Sequence, residues 1–111
     1  MSGGDVERRL LGLIGLGLRA RHAVVGVEQV RNAAKRGKLA LAVVAPDASR
    51  HSLDKVVPLL RAKRVPVVQG PSASTLGAAL GREATAAVGI VDRDLAKGIR
   101  EIVASGPSPA L

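Results

Sequence analysis

Glycines near the start of the chain have the spacing of a nucleotide-binding motif. Residues 15–20, Gly-Leu-Gly-Leu-Arg-Ala, fit the pattern G-x-G-x-x-G/A. That motif requires a strand before it and a helix that begins at it. It also requires an acidic residue further along the chain that hydrogen-bonds the ribose of the nucleotide. Here the preceding segment has a helical pattern, and the strand that follows ends without an acid. A glycine-rich packing helix is therefore preferred, and a small nucleotide-binding protein remains an alternative.

Two other groups of residues contain catalytic residue types. Asp47, Ser49 and His51 are the ingredients of a hydrolase triad, but three members within one turn cannot point at a common centre. Helix capping explains them better, as it does Asp92 and Asp94 at a strand-to-helix junction. Neither histidine of the chain has the i, i+4 partner typical of a metal-binding helix. We predict no catalytic residues, no metal site and no cofactor, and hence a protein that is not an enzyme.

The charge is strongly basic and unevenly distributed. The chain has seventeen Lys and Arg residues and nine Asp and Glu residues, which give a net charge of +8. Between Arg19 and Lys38 lie six basic residues and one acid, a net charge of +5, which favours a polyanion-binding face over a merely solvated surface. Because the chain has no Phe, Tyr or Trp, it cannot stack bases as RNA-recognition sheets and OB-folds do. Binding would depend on cations at phosphates and polar groups at base edges.

Length and composition set the broad class. The 111 residues provide for one domain, and 47% hydrophobic residues are enough for a core. The absence of Cys excludes disulfides and thiolate metal sites. The longest strongly apolar run, 10–18, is far shorter than the ~20 residues of a membrane span, and no signal peptide is visible. We therefore predict a cytoplasmic protein that has no membrane partner.

Hydrophobic spacing predicts helices that alternate with short strands. Alternation of this kind is typical of an α/β protein whose sheet is covered by helices on both sides. We expect one domain over 5–104 and flexible ends at 1–4 and 105–111, and we expect Pro58 to kink or divide its helix. The predicted helices are 5–18, 27–36, 49–64, 74–80 and 92–104, and the predicted strands are 23–25, 39–45, 65–69 and 86–91.

Several of these segments, in this order, resemble the L7Ae/L30e superfamily of ribosomal proteins, in particular its bacterial YlxQ-type branch. The resemblance implies a three-layer α/β/α sandwich around a mixed four-stranded sheet. It also implies binding to kink-turn RNA, a sharply bent internal loop with tandem sheared G·A pairs. The likeness covers about residues 10–100 and is carried by 13–26, 26–38, 39–49, 65–68, 75–81 and 87–99.

The resemblance also implies which residues bind RNA. In the family the second helix directs its N-terminal end into the major groove, and the loop before the fourth strand, here 81–86, covers flipped-out bases. Glu28 and Gln29 match the polar pair at the G·A bases, and Asn32 matches a position usually held by Lys. The implied RNA-binding residues are Gly26, Val27, Glu28, Gln29, Arg31, Asn32, Lys35, Arg36, Lys38, Arg82, Glu83, Ala84 and Thr85.

This chain departs from the strong kink-turn binders at the recognition helix. They carry Asn-Glu or Lys-Gln at the polar pair and Lys at the third position, whereas this chain has Glu28, Gln29 and Asn32. Arg31 is an imperfect substitute for the Lys because it points about 100° away from Asn32 on a helix.

Together these features predict a monomeric RNA-binding protein without catalytic activity. We expect it to be associated with the ribosome or another RNA and to recognise kink-turn-like loops through its second helix. Its RNA would be a kink-turn or ribosomal RNA, and proteins of the ribosome, translation or transcription are further possible partners. The alternative is a protein-interaction module in translation or transcription without RNA specificity of its own.

Overall fold

The structure, a computed structural model, describes residues 3–104 and confirms the alternating order of helices and strands. Of the flexible ends predicted at 1–4 and 105–111, residues 1–2 and 105–111 lie outside the described residues. Gly3 and Gly4 are helical, contrary to the prediction, because the first helix begins two residues before the predicted domain start. The elements are α1 (Gly3–Arg19), β1 (Ala23–Val25), α2 (Val27–Lys35), β2 (Leu41–Val44), α3 (Arg50–Ala62), β3 (Val67–Gln69), α4 (Ala73–Ala79), β4 (Ala87–Ile90) and α5 (Arg93–Ala104).

The four strands form one mixed sheet in the order β1-β4-β2-β3. β4 runs antiparallel to both of its neighbours, while β2 and β3 are parallel. All residues of β2 and β4 are buried, as expected for central strands covered on both faces. The prediction of a mixed four-stranded sheet between helices is confirmed.

Alternating side chains of β2 serve two separate hydrophobic clusters. Leu41 and Val43 pack with residues of α1 and α5, whereas Ala42 and Val44 pack with residues of α2 and α3. This division follows from the two-residue period of a strand, which directs successive side chains to opposite faces. The predicted three-layer α/β/α sandwich is therefore confirmed.

α1 is less buried than its apolar sequence predicts. Leu10, Ile14 and Gly17 are buried along one stripe, but Leu16 is 54% exposed. A Cβ on Gly17 would lie 2.3 Å from Leu95 Cδ2, so this glycine permits close packing of α1 on α5. Gly15 and Gly17 thus lie inside a helix, and the strand-to-helix turn that a dinucleotide motif requires is not formed there.

α3 runs from Arg50 to Ala62 as one helix, so of the two predicted effects of Pro58, a kink or a division, the division does not occur. Pro58 is exposed, while Val56 and Leu60 on either side of it are buried. Their burial favours the helical conformation through the proline, although Pro58 has no N–H to donate to the preceding turn.

Four helices end in the same left-handed motif. After α2 and α4 the left-handed residue is Gly37 (φ 68°) and Gly81 (φ 70°), as is common at the C-terminal end of a helix. After α1 and α3 it is Arg21 (φ 63°) and Arg64 (φ 58°). A side chain in this conformation costs about 1–2 kcal/mol, so the two arginines reduce the stability of the fold.

The helices of residues 3–104 include none that combines the length with the apolar content required to cross a membrane.

Candidate nucleic-acid interface

The start of α2 presents backbone donors at the surface. Gly26 connects β1 to α2 with φ 98° and ψ 156°, its N–H donates to the Ala87 carbonyl at 2.9 Å, and its own carbonyl accepts from the Val30 N–H at 3.0 Å. The N–H groups of the first helical residues have no partner inside the helix, and no side chain caps them. The helix dipole adds partial positive charge at this end, so the position suits an anion or a base acceptor.

The predicted polar and basic residues of α2 share one exposed face. Glu28, Gln29, Asn32, Lys35 and Arg36 are exposed. The opposite face is buried in the core, as predicted, at Val30, Ala33 and Ala34. Helical periodicity produces this division, because exposed positions recur every three or four residues. The cations therefore form a continuous surface with the start of the helix.

Arg31 does not join that exposed face. Its Nη1 donates to the backbone carbonyl of Lys55 on α3, and the residue is half-buried. The direction of Arg31 on the helix turns its guanidinium towards α3, but the hydrogen bond is exposed, so RNA contact by Arg31 stays a prediction. Lys55 also lies 3.9 Å from the Glu28 carboxylate through its Nζ. Nothing in the sequence indicated Lys55, since only the packing of α2 on α3 brings it to this position.

A groove of about 560 Å³ separates the start of α2 from the loop that follows α4. Gly26 and Val27 form one wall, and Arg82, Glu83 and Ala84 of the loop form the other. The loop residues Thr85 and Ala86 and the α3 residue Ser52 complete the lining together with Val25. The structure thus brings together two predicted segments that are far apart in the sequence, and it adds Ser52, for which the sequence gave no signal.

The loop is held against α4 by backbone contacts. The Arg82 N–H donates to the Gly77 carbonyl at 2.8 Å, and the Thr85 N–H donates to the Ala73 carbonyl at 2.9 Å. The Thr85 hydroxyl, on a residue that is 5% exposed, donates to the Glu83 carbonyl at 3.2 Å. The side chain of Thr85 is therefore buried inside the loop, whereas Arg82, Glu83 and Ala84 are exposed at the surface.

The sequence profile of the ribosomal protein L7Ae/L30e/S12e/Gadd45 family matches residues 9–102. The chain belongs to this family. It is 31% identical over 84 residues to the RNA-binding protein YlxQ of Bacillus subtilis (strain 168), an alignment that covers 76% of this chain and 84% of that protein.

Two solved structures of similar proteins share the fold. One is a protein of unknown function from Bacillus halodurans C, with a TM-score of 0.78, 27% identity, and coverage of 86% of this chain and 97% of that one. The other is the 15.5 kD RNA-binding protein of Giardia lamblia, with a TM-score of 0.72, 26% identity, and coverage of 94% of this chain and 89% of that one.

Lys38 is not brought to the groove. It follows the C-terminal end of α2, whereas the groove borders the N-terminal end, and a helix of nine residues separates the two by ~13 Å. Among the RNA-binding residues that the family resemblance implies, those at 26–27 and 82–85 line the groove. Those at 28–29, 32 and 35–36 extend from the groove along the exposed face of α2.

The other residues with catalytic potential act mainly as helix caps. Ser49 Oγ accepts from the Ser52 N–H at 3.1 Å and Asp92 Oδ2 accepts from the Leu95 N–H at 2.8 Å, as predicted. Asp47 does not cap the helix that follows it, because its Oδ1 accepts from the Ala73 N–H of α4 at 2.7 Å. Across residues 3–104, no three His, Cys, Asp or Glu side chains form a group that could hold a metal ion.

Proposed function

We propose that this protein binds RNA and recognises a sharply bent internal loop of the kink-turn type through the start of α2 and the loop 82–85. The observation that carries the proposal is the groove, because it joins the two segments that the family uses for RNA. Two similar proteins, YlxQ and the Giardia protein, are named as RNA-binding proteins. We expect a non-catalytic role in the cytoplasm, on ribosomal RNA or another structured RNA.

The polar groups near the groove suit base edges as well as phosphates. The Gln29 amide both donates and accepts hydrogen bonds, so it can read a base edge. The Glu28 carboxylate only accepts, which suits a base amino group and is unfavourable beside a phosphate. The uncapped N–H groups after Gly26 supply donors for phosphate or base oxygens. These groups provide the specificity in this proposal.

Lys35 and Arg36 would increase the affinity for RNA of any sequence. They lie about 13 Å along α2 from Gly26, on the same exposed face, where an RNA stem that leaves the bend would run. Phosphate contacts of this kind position a protein on RNA but do not distinguish bases. We therefore expect base discrimination at the N-terminal end of α2 and general attraction at its C-terminal end.

A titration separates these two contributions. Wild-type protein is titrated with a kink-turn RNA and with the same RNA in which the G·A pairs are Watson–Crick pairs. We expect tighter binding to the kink-turn, a loss of that preference in Gln29→Ala, and weaker binding to both RNAs in the double variant Lys35→Glu/Arg36→Glu. Equal wild-type affinity for both RNAs would exclude kink-turn recognition.

A matched charge reversal elsewhere controls for the basic character of the whole protein. Arg8 and Arg9 are exposed on α1, outside the groove and the exposed face of α2. Arg8→Glu/Arg9→Glu changes the net charge by the same amount as Lys35→Glu/Arg36→Glu. If both double variants weakened binding equally, the attraction would be a property of total charge and not of α2.

A further inference from the structure

A second groove, of about 370 Å³ and lined by basic residues, lies at the opposite end of the sheet. Four cationic side chains line it, Arg64 from the end of α3 and Arg93, Lys97 and Arg100 from α5, above a floor that includes Leu39 and Pro66. None of these four residues belongs to the RNA-binding set implied by the family.

The topology separates the two grooves. Ala87, at the start of β4, accepts from the Gly26 N–H beside the first groove. The second groove is at the other end of β4, where Ile90 pairs with Leu41 at the start of β2. A strand of four residues spans about 13 Å, so an RNA that fills only the first groove does not reach the second.

Across the described residues, none of the four cations of the second groove forms an ion pair with an acid. Within residues 3–104 the ion pairs are Arg8–Asp5 and Lys55–Glu28, and neither involves this groove. α5 also carries Asp94 and Glu101, but neither lines the groove. The lining of the groove itself contains four cations and no acid, although Glu101 lies beside Lys97 and Arg100 on the neighbouring surface. The groove therefore has a net positive potential that attracts an anion.

The spacing of the cations fits a row of phosphates. Arg93, Lys97 and Arg100 are at positions i, i+4 and i+7 of α5, so they share one helix face and extend over ~10 Å. A single anion would contact one or two of them, whereas a nucleic-acid backbone presents a charge to each. Guanidinium groups also form paired hydrogen bonds with phosphate oxygens.

Arg64 supplies an independent indication. α2 and α3 end in the same hydrogen-bonded motif, with Gly37 at the left-handed position of one and Arg64 at that of the other. Glycine is the favoured residue there, so Arg64 lowers the stability of the fold while placing a cation in the groove. Arg21 has the same left-handed conformation outside the groove, so it is the position of Arg64 in the groove, and not the strain alone, that supports binding.

We propose that the groove lined by Arg64, Arg93, Lys97 and Arg100 binds the phosphate backbone of a second RNA segment, such as a stem that extends beyond the bend. This inference rests on the proposed function in taking RNA as the polyanion. It adds a contact surface that would make affinity depend on the length of the RNA outside the kink-turn.

Two RNAs test the proposal, a short kink-turn and the same kink-turn with one stem extended by a helical turn. Lys97→Gln/Arg100→Gln should bind the extended RNA several-fold more weakly than wild type. It should also lower the slope of log affinity against log salt by about 1.8, since two phosphate contacts with a duplex are lost. Binding of the short RNA should be unchanged. Arg8→Gln/Arg9→Gln removes the same charge from another exposed helix and should leave both affinities unchanged.

An equal loss in both double variants, or no loss with the extended RNA, would overturn the proposal. A wild-type protein that failed to prefer the kink-turn would refute the proposed function alone. The second groove would then be judged on plain duplex RNA, where Lys97→Gln/Arg100→Gln must still weaken binding more than Arg8→Gln/Arg9→Gln does.

Arg64→Gly separates binding from stability. It should raise the Tm, because glycine relieves the left-handed strain, and at the same time weaken binding of the extended RNA. Arg21→Gly relieves the same strain and removes the same charge outside the groove, so it should raise the Tm with a smaller effect on affinity. Equal effects of the two variants on affinity would count against the groove.

Discussion

Replacing Gly77 by alanine should move the loop wall of the first groove. Gly77 lies within α4 directly beneath that loop, and an added Cβ would be 1.6 Å from the Glu83 carbonyl oxygen and 3.2 Å from Ala84 Cα. Ordinary contact begins at 3.4 Å, so the oxygen must move by about 1.8 Å. Because the obstructing atoms are backbone, no side-chain rotation can relieve the collision.

Two opposing free energies decide the stability of Gly77→Ala. Overpacking that forces a backbone shift costs up to about 3 kcal/mol, whereas alanine in place of glycine in a helix gains about 1 kcal/mol. We therefore expect a net loss of about 2 kcal/mol in the free energy of unfolding. At about 4 °C per kcal/mol for a domain of this size, the Tm should fall by about 8 °C.

The assay compares Gly77→Ala with Gly12→Ala by thermal unfolding and by kink-turn titration well below the Tm. A Cβ on Gly12 would meet nothing within 4 Å, so that variant should gain about 1 kcal/mol and keep its RNA affinity. Gly77→Ala should lose both stability and kink-turn affinity, because Arg82 and Glu83 move with the loop. A rise in the Tm of Gly77→Ala, like that of Gly12→Ala, would refute this reasoning.

Three further predictions follow from individual contacts. Arg31→Ala should lower the free energy of unfolding, measured by urea denaturation, by about 1 kcal/mol, because it removes the hydrogen bond to Lys55 on α3. By contrast, Lys35→Ala should weaken RNA binding and leave urea denaturation unchanged. Asp92→Ala should cost about 1 kcal/mol in the same urea experiment through loss of the α5 cap, and an unchanged midpoint would contradict the role of that cap. The chain has no Trp or Tyr and therefore absorbs little near-ultraviolet light itself, so a strong absorbance band after purification at low salt would come from bound nucleic acid. Nuclease treatment should remove that band if the protein carries RNA.

Much of the fold could be predicted from the sequence because it depends on local periodicity. The apolar segments at 39–45 and 86–91 predicted strands, and β2 and β4 lie within them. The apolar spacing of Val30, Ala33 and Ala34 is that of the buried face of α2. The opposite face of that helix, with its polar and basic residues, followed from the same spacing. Its functional meaning came from the resemblance to the family and not from periodicity.

Tertiary structure alone decided which distant residues meet. The first groove exists because β4 lies between β1 and β2, which places the loop before β4 beside the start of α2. The same strand order brings Arg64 to the α5 cations at the other end. It was likewise the packing of α2 on α3 that brought Arg31 to the Lys55 carbonyl. Hydrophobic spacing specifies which face of an element is buried, but it carries no information about which other element covers that face. Both grooves depend on which elements pack against each other, so the spacing alone could not predict them.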